Sequence, residues 1–171
     1  SWCFDHRPGP ILNGRPRTSD HPGTHTEARK GATAMAILPF LGAGQTHKEG
    51  KYRTSVQGGL GYLISHMKPD GSMHESQGSM YSHGLAAIAL CEAYGMTRDA
   101  ELRGPAEKAI RFILEAQDPE RGGWRYTQAD DASTWPRESD TSVSGWQLMA
   151  LKSAQMAGLE VPEQTLAKVV R

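Results

Sequence analysis

One arrangement of residues occurs three times in this chain: an uncharged run rich in small apolar residues, a glycine-bearing turn, and an amphipathic run leading into a Gly/Trp turn. The copies recur at a period of roughly 50–60 residues, which points to stacked supersecondary units of one kind. The uncharged runs are Thr33–Leu38, Ser82–Leu90 and Ser142–Leu151. A helix with no charged side is a buried helix, and its glycines and alanines let neighbouring helices approach closely. These runs are the expected inner helices. Pro39 is expected to kink or stop the first of them, since its ring displaces the carbonyl four residues back.

The runs that follow have a wet side. In Pro105–Gln117 the residues Ala106, Ala109, Ile110, Ile113 and Leu114 share one helical face, while Glu107, Lys108, Arg111 and Glu115 occupy the other. Tyr52–Met67 repeats the pattern with Val56, Leu60, Leu63 and Ile64, and Pro162 opens a third copy. Pro105 and Pro162 are expected in first helical turns, where a missing N–H costs nothing. Gly95 and Gly158 are expected to close two inner helices in the left-handed conformation. The outcome is an all-α chain of about three inner–outer hairpins forming one domain over residues 1–171. Periodicity leaves an open solenoid and a closed ring as equal solutions.

Composition narrows the function classes. Lysine plus arginine and aspartate plus glutamate number 19 each, so no net field draws the chain to nucleic acid or to an anionic membrane. No apolar run approaches the roughly 18–20 residues that cross a bilayer, and the segment reads as soluble. Two cysteines, Cys3 in a polar setting and Cys91 in an apolar run, make neither a disulfide framework nor a zinc signature, and they leave the compartment open. A Gly-rich phosphate loop, a Gly-x-Ser-x-Gly elbow and a His-Glu-x-x-His pair are all missing.

The segment Lys108–Trp124, with Phe112-Ile113-Leu114, then Gln117, then Gly122-Gly123-Trp124, resembles the QW motif of squalene and oxidosqualene cyclases. Tyr62–Met73 is a degraded copy with Met67 and Met73 in the Gln and Trp places, and Ser1-Trp2 is similar to the tail of another. The resemblance implies the α/α toroid of terpenoid cyclases and protein prenyltransferases, a ring of hairpins around an apolar cavity, of which three hairpins are a part. In that family the glutamine and tryptophan tie successive hairpins together, and the chemistry sits where inner helices begin.

At those starts the chain departs from both enzyme types. Arg137-Glu138-Ser139-Asp140-Thr141-Ser142 resembles the cyclase acid sequence but has Ser139 in the proton-donating place. Asp140-Thr141-Ser142 followed by Trp146-Gln147 resembles the zinc-binding segment of prenyltransferases, with Ser142 where a thiolate stands there. The resemblance therefore implies Asp140 and His83 as acid–base or polar anchors, Tyr81, Trp124, Tyr126 and Trp146 as pocket walls, and no metal or other cofactor. An apolar or isoprenoid ligand follows, with a non-catalytic scaffold for protein or polysaccharide as the alternative. The residues themselves admit plainer roles: Asp140 as an N-cap, and His83 as a satisfied core histidine beside Tyr81. Two long polar connections, Phe4–Lys30 and Asp118–Ser139, precede inner helices and are expected to form a lid carrying Asp5, His6, His21, His25, Glu27, Asp130, Asp131 and Trp135.

Overall fold

All three uncharged runs lie inside helices. A computed structural model of the chain describes residues 1–5, 11–12, 15–16, 23–127 and 139–169. Among them α1 spans Arg29–Gly42, α2 Arg53–Ser65, α3 Ser79–Thr97, α4 Ala100–Glu115, α5 Thr141–Met156 and α6 Glu163–Val169. Two-residue strands β1 (Ile11–Leu12) and β2 (Arg15–Pro16) pair antiparallel. The fold is all-α. Among the described residues no helix is long and apolar enough to cross a membrane.

The inner helices form one layer: α3 packs against α1 on one side and α5 on the other, while α2 backs α1 and α4 backs α3. Burial follows the charge pattern. Every residue of α3 from Ser82 to Cys91 is buried, whereas α4 buries only one side, through Leu102, Ala106, Ala109, Ile110, Phe112 and Ile113. Asp99 caps α4 by accepting the Glu101 N–H at 3.1 Å, and Asp140 caps α5 by accepting the Val143 N–H at 2.9 Å. Each such cap stabilises its helix by about 1 kcal/mol.

Pro39 lies inside α1, which continues to Gly42, so of the kink or stop expected there the stop does not occur. Two helix limits differ from expectation, each for a local reason. Pro105 lies inside α4 and not in its first turn, because Asp99 nucleates the helix further upstream. Gly95 does not close α3; it lies within the helix, where a Cβ would come 3.3 Å from that of Ala157. Closure falls to Arg98, left-handed at φ 53°, whose guanidinium donates to the Ala157 carbonyl. Gly158, at φ 73°, ends α5 as expected.

The repeat is held by the same bonds in each copy. The backbone N–H groups of Trp2, Met73 and Trp124 donate to Thr33 Oγ1 (3.1 Å), His83 Nδ1 (3.0 Å) and Ser144 Oγ (2.9 Å), each in the following inner helix. Trp2 and Met73 thus stand in the structural place of Trp124. The separations along the chain are 31, 10 and 20 residues, so the insertions between turn and helix vary while the joint does not. A second joint links outer helices: the turns at Gly71 (φ 88°) and Gly122 (φ 78°) lie on the Lys108 and Lys168 carbonyls. A Cβ at these glycines would come within 2.4 and 2.3 Å of the respective oxygens. Gln117 completes the second turn, its amide donating to the Gly122 and Thr165 carbonyls at 2.7 and 2.9 Å.

Gly71→Ala and Gly122→Ala are each expected to lower unfolding free energy by about 2 kcal/mol, through positive φ and collision with a carbonyl. Gly58→Ala, with open space around it in α2, is expected to raise stability by about 0.5–1 kcal/mol. Urea unfolding of the three variants checks both signs.

Candidate functional site

The joint at Thr33, His83 and Ser144 sets the inner helices in register, and one face of each then lines up. On α3 that face reads Tyr81, Leu85, Ile88, Glu92 and Gly95; on α5 it reads Ser142, Trp146, Met149, Ser153 and Met156. Gly31, Met35 and Leu38 hold the corresponding places on α1. Near the helix starts the face hollows into a cavity of about 260 Å³, whose lining includes Phe4, Met35, Tyr81, Leu85 and Trp146. Near the helix ends a recess of about 220 Å³ lies among Glu92, Gly95, Ser153 and Met156. Between them Met149 is 52% exposed, and Met156 beyond it is 79% exposed. A larger recess, about 390 Å³, lies between α4 and residues 159–162 under Glu107, Arg111 and Glu160, and involves none of these inner-face residues.

A polar cluster borders the cavity. The Tyr81 and Ser142 hydroxyls are 2.6 Å apart, Ser142 Oγ donates to Asp140 Oδ1 at 2.5 Å, and the Tyr126 hydroxyl donates to Asp140 Oδ2 at 2.9 Å. The Tyr81 and Tyr126 rings meet edge to face, with centroids 5.8 Å apart. The donors around Asp140 set its charge: the Ser142 hydroxyl, the Val143 N–H and the Tyr126 hydroxyl hold its carboxyl down to about 2. Hydrogen bonding to that carboxylate, with Tyr81 beside it, pushes the Tyr126 phenol up to about 12. A carboxylate and a phenol so far from neutrality exchange few protons there. The cluster is built to hold a charge and hydroxyls, and is poorly suited to donating a proton.

The structure thus brings four of the six sequence-predicted residues together: Asp140, Tyr126, Tyr81 and, through the cavity that Tyr81 also lines, Trp146. His83 and Trp124 lie elsewhere. His83 is fully buried against Phe112, with ring centroids 4.5 Å apart. Its Nδ1 accepts the Met73 N–H and its Nε2 donates to the Ala109 carbonyl at 3.0 Å. Both nitrogens are bonded within the joint and the ring is not among the residues that line the cavity; burial pushes the imidazole down to about 4. Trp124 is 1% exposed, its indole N–H donating to the Ile113 carbonyl at 2.8 Å. It is a core residue tying α4 to the turn, and it is not among the cavity's lining residues.

Sequence reasoning missed Glu75. Its carboxylate reaches back to cap α1, accepting the Lys30 N–H at 2.9 Å and the Gly31 N–H at 3.3 Å, where Ala28 provides no side-chain cap. No signal in the neighbouring residues marks a cap delivered from the next repeat. Phe4, Met35 and Leu85 were also missed as lining residues, although the alignment of Thr33, His83 and Ser144 would have placed the last two. Of the lid residues, His25 borders the cavity and its Nδ1 lies 3.0 Å from the Gln77 carbonyl. His6, His21, Asp130, Asp131 and Trp135 lie outside the described residues. Among the described residues no three histidines, cysteines or carboxylates converge as a metal site would require.

No family model matches the chain, and no solved structure matches it either.

The His83 assignment carries a pH dependence. A folded-state pKa below the unfolded 6.5 means that the unfolded chain binds the extra proton, so this contribution to stability is complete above pH 6.5. It is lost as pH falls from 6.5 towards about 4. Nitrogen NMR of the imidazoles is expected to show His83 as the Nε2–H tautomer titrating near 4 in the folded protein. An ordinary titration near 6.5 would remove it from the joint.

Proposed function

We propose that the chain is part of an α/α toroid of the terpenoid cyclase and prenyltransferase kind, and that its inner-helix face binds an apolar, isoprenoid-type ligand. One observation carries the reading: the starts of α1, α3 and α5 share an apolar cavity walled by Met35, Leu85, Tyr81 and Trp146, with a hydroxyl–carboxylate cluster beside it. The joints at Gln117, Trp124 and Gly122 support the toroid half of the proposal, since they link successive hairpins through the residues that resemble the QW motif.

A second reading, a non-catalytic repeat scaffold, is favoured by the charge state of the cluster. Ser139 occupies the cyclase acid position, and Asp140 is held as a carboxylate. Binding without chemistry accommodates both facts. The two readings part over whether a ligand enters the cavity.

Geranylgeraniol is expected to quench the tryptophan fluorescence of the protein in a saturable way and to co-elute with it in native mass spectrometry. Trp146→Glu, which puts a charge into the cavity wall, is expected to weaken binding at least tenfold. Full retention of binding in that variant places the ligand elsewhere and leaves the scaffold reading in front.

A further inference from the structure

The polar end of the inner face selects a charge sign, and its helix termini decide which. Helix N-termini ordinarily attract anions through their unpaired N–H groups. Here those groups are already occupied. The start of α1 is covered by the Glu75 carboxylate, that of α5 by the Asp140 carboxylate, and the Met80 N–H of α3 donates to the Tyr126 carbonyl at 3.0 Å. A phosphate or diphosphate arriving at this end meets bonded amides and the Asp140 carboxylate, while at the start of α1 the Glu75 carboxylate has the Lys30 ammonium in its field. A cation meets the opposite situation. Asp140 accepts from the Ser142 and Tyr126 hydroxyls and from backbone amides at the start of α5, all of them neutral donors. The Tyr81 and Tyr126 hydroxyls point into that network, and their rings form an edge-to-face corner beside it. Aromatic faces attract cations through their negative quadrupole.

The rest of the face sets the shape of the ligand. From Ser142 to Met156 the exposed row of α5 runs about 20 Å at 1.5 Å per residue. Its apolar members are Trp146, Met149 and Met156, and methionine thioethers adapt to flexible chains. Beside it on α3, Leu85 and Ile88 hold the equivalent places and are buried.

Resting on the reading of this face as an apolar binding surface, we propose that its ligand is a single-chain alkylammonium, with the ammonium beside Asp140, Tyr81 and Tyr126 and the chain along Trp146, Met149 and Met156. The anionic head groups of prenyl donors are disfavoured there by the Asp140 carboxylate.

Three probes with one chain and different heads test it: decyltrimethylammonium, decyl phosphate and decanol, titrated calorimetrically into the protein below their micellar concentrations. The ammonium is expected to bind at least tenfold more tightly than decanol, and the phosphate more weakly than either. Asp140→Asn, which keeps an N-capping side chain and removes the charge, is expected to bring ammonium binding down to the level of decanol while leaving decanol unchanged. Equal binding of the three heads, or an Asp140→Asn variant that still prefers the ammonium, overturns the head-group assignment and leaves the apolar face standing. Failure of all three probes to bind overturns both the assignment and the ligand-binding reading beneath it. Unfolding curves of the variant, matching those of the parent protein, show that the fold survives the substitution.

Discussion

The structure depends on one hydrogen bond made three times: a turn residue's backbone N–H reaching a polar side chain in the early turns of the next inner helix. A buried N–H without a partner costs on the order of 1–3 kcal/mol, so each turn must find an acceptor, and each inner helix carries one in an otherwise apolar wall. Thr33, His83 and Ser144 are chemically unlike, yet they do the same work. The bond fixes where a helix begins relative to the preceding turn, whatever the length of the loop between them. Loops can therefore vary from repeat to repeat without disturbing the packing of α1, α3 and α5.

Using histidine in the middle copy has a consequence that serine and threonine do not. A hydroxyl serves as acceptor at any pH, whereas Nδ1 accepts only when the ring is neutral. The middle copy of the joint is thus the acid-sensitive one, and it lies in α3, the helix that both neighbours pack against. His74 in the adjoining turn shifts in the same direction through its own burial. The weak point and the centre of the inner layer coincide.

Much of the fold was legible in the sequence because charge is a reliable marker of burial. Runs without any charged residue became the cores of α1, α3 and α5, and the two-faced run around Ile110 became α4. The limits of helices were less legible. Asp99 outweighs Pro105 as a starting signal, and Gly95 answers to the Ala157 methyl across a helix contact, which no local pattern reveals. The site divided in the same way. A family resemblance directs attention to inner-helix starts, where Asp140, Tyr81 and Trp146 gather with Tyr126 from the connection before α5. His83 and Trp124 drew the same attention but belong to the joints. Their neighbours along the chain cannot distinguish a residue facing the cavity from one a third of a helical turn away. The three-way alignment of Thr33, His83 and Ser144 makes that distinction, since acceptors in equivalent positions of all repeats mark a structural duty.

Once the register is set, differences between copies become the places where function can reside. Equivalent positions on α3 and α5 pair Tyr81 with Ser142, Leu85 with Trp146, Ile88 with Met149, and Glu92 with Ser153. At the first pair the two residues bond to each other through their hydroxyls, and Ser142 hands the contact on to Asp140. At the last, Ser153 Oγ donates to Glu92 Oε1 at 2.6 Å. Polar pairs thus close the α3–α5 seam at both ends, and between them lie Leu85, Trp146, Ile88 and Met149. A repeat that served packing alone would have no reason to leave Met149 and Met156 in water, where each forfeits the burial that stabilises Leu85 and Ile88 in the same row. Exposed methionines along a seam closed by polar pairs at Ser142 and Ser153 describe a surface that gains by being covered, and the Asp140 and Glu92 carboxylates limit what can cover it.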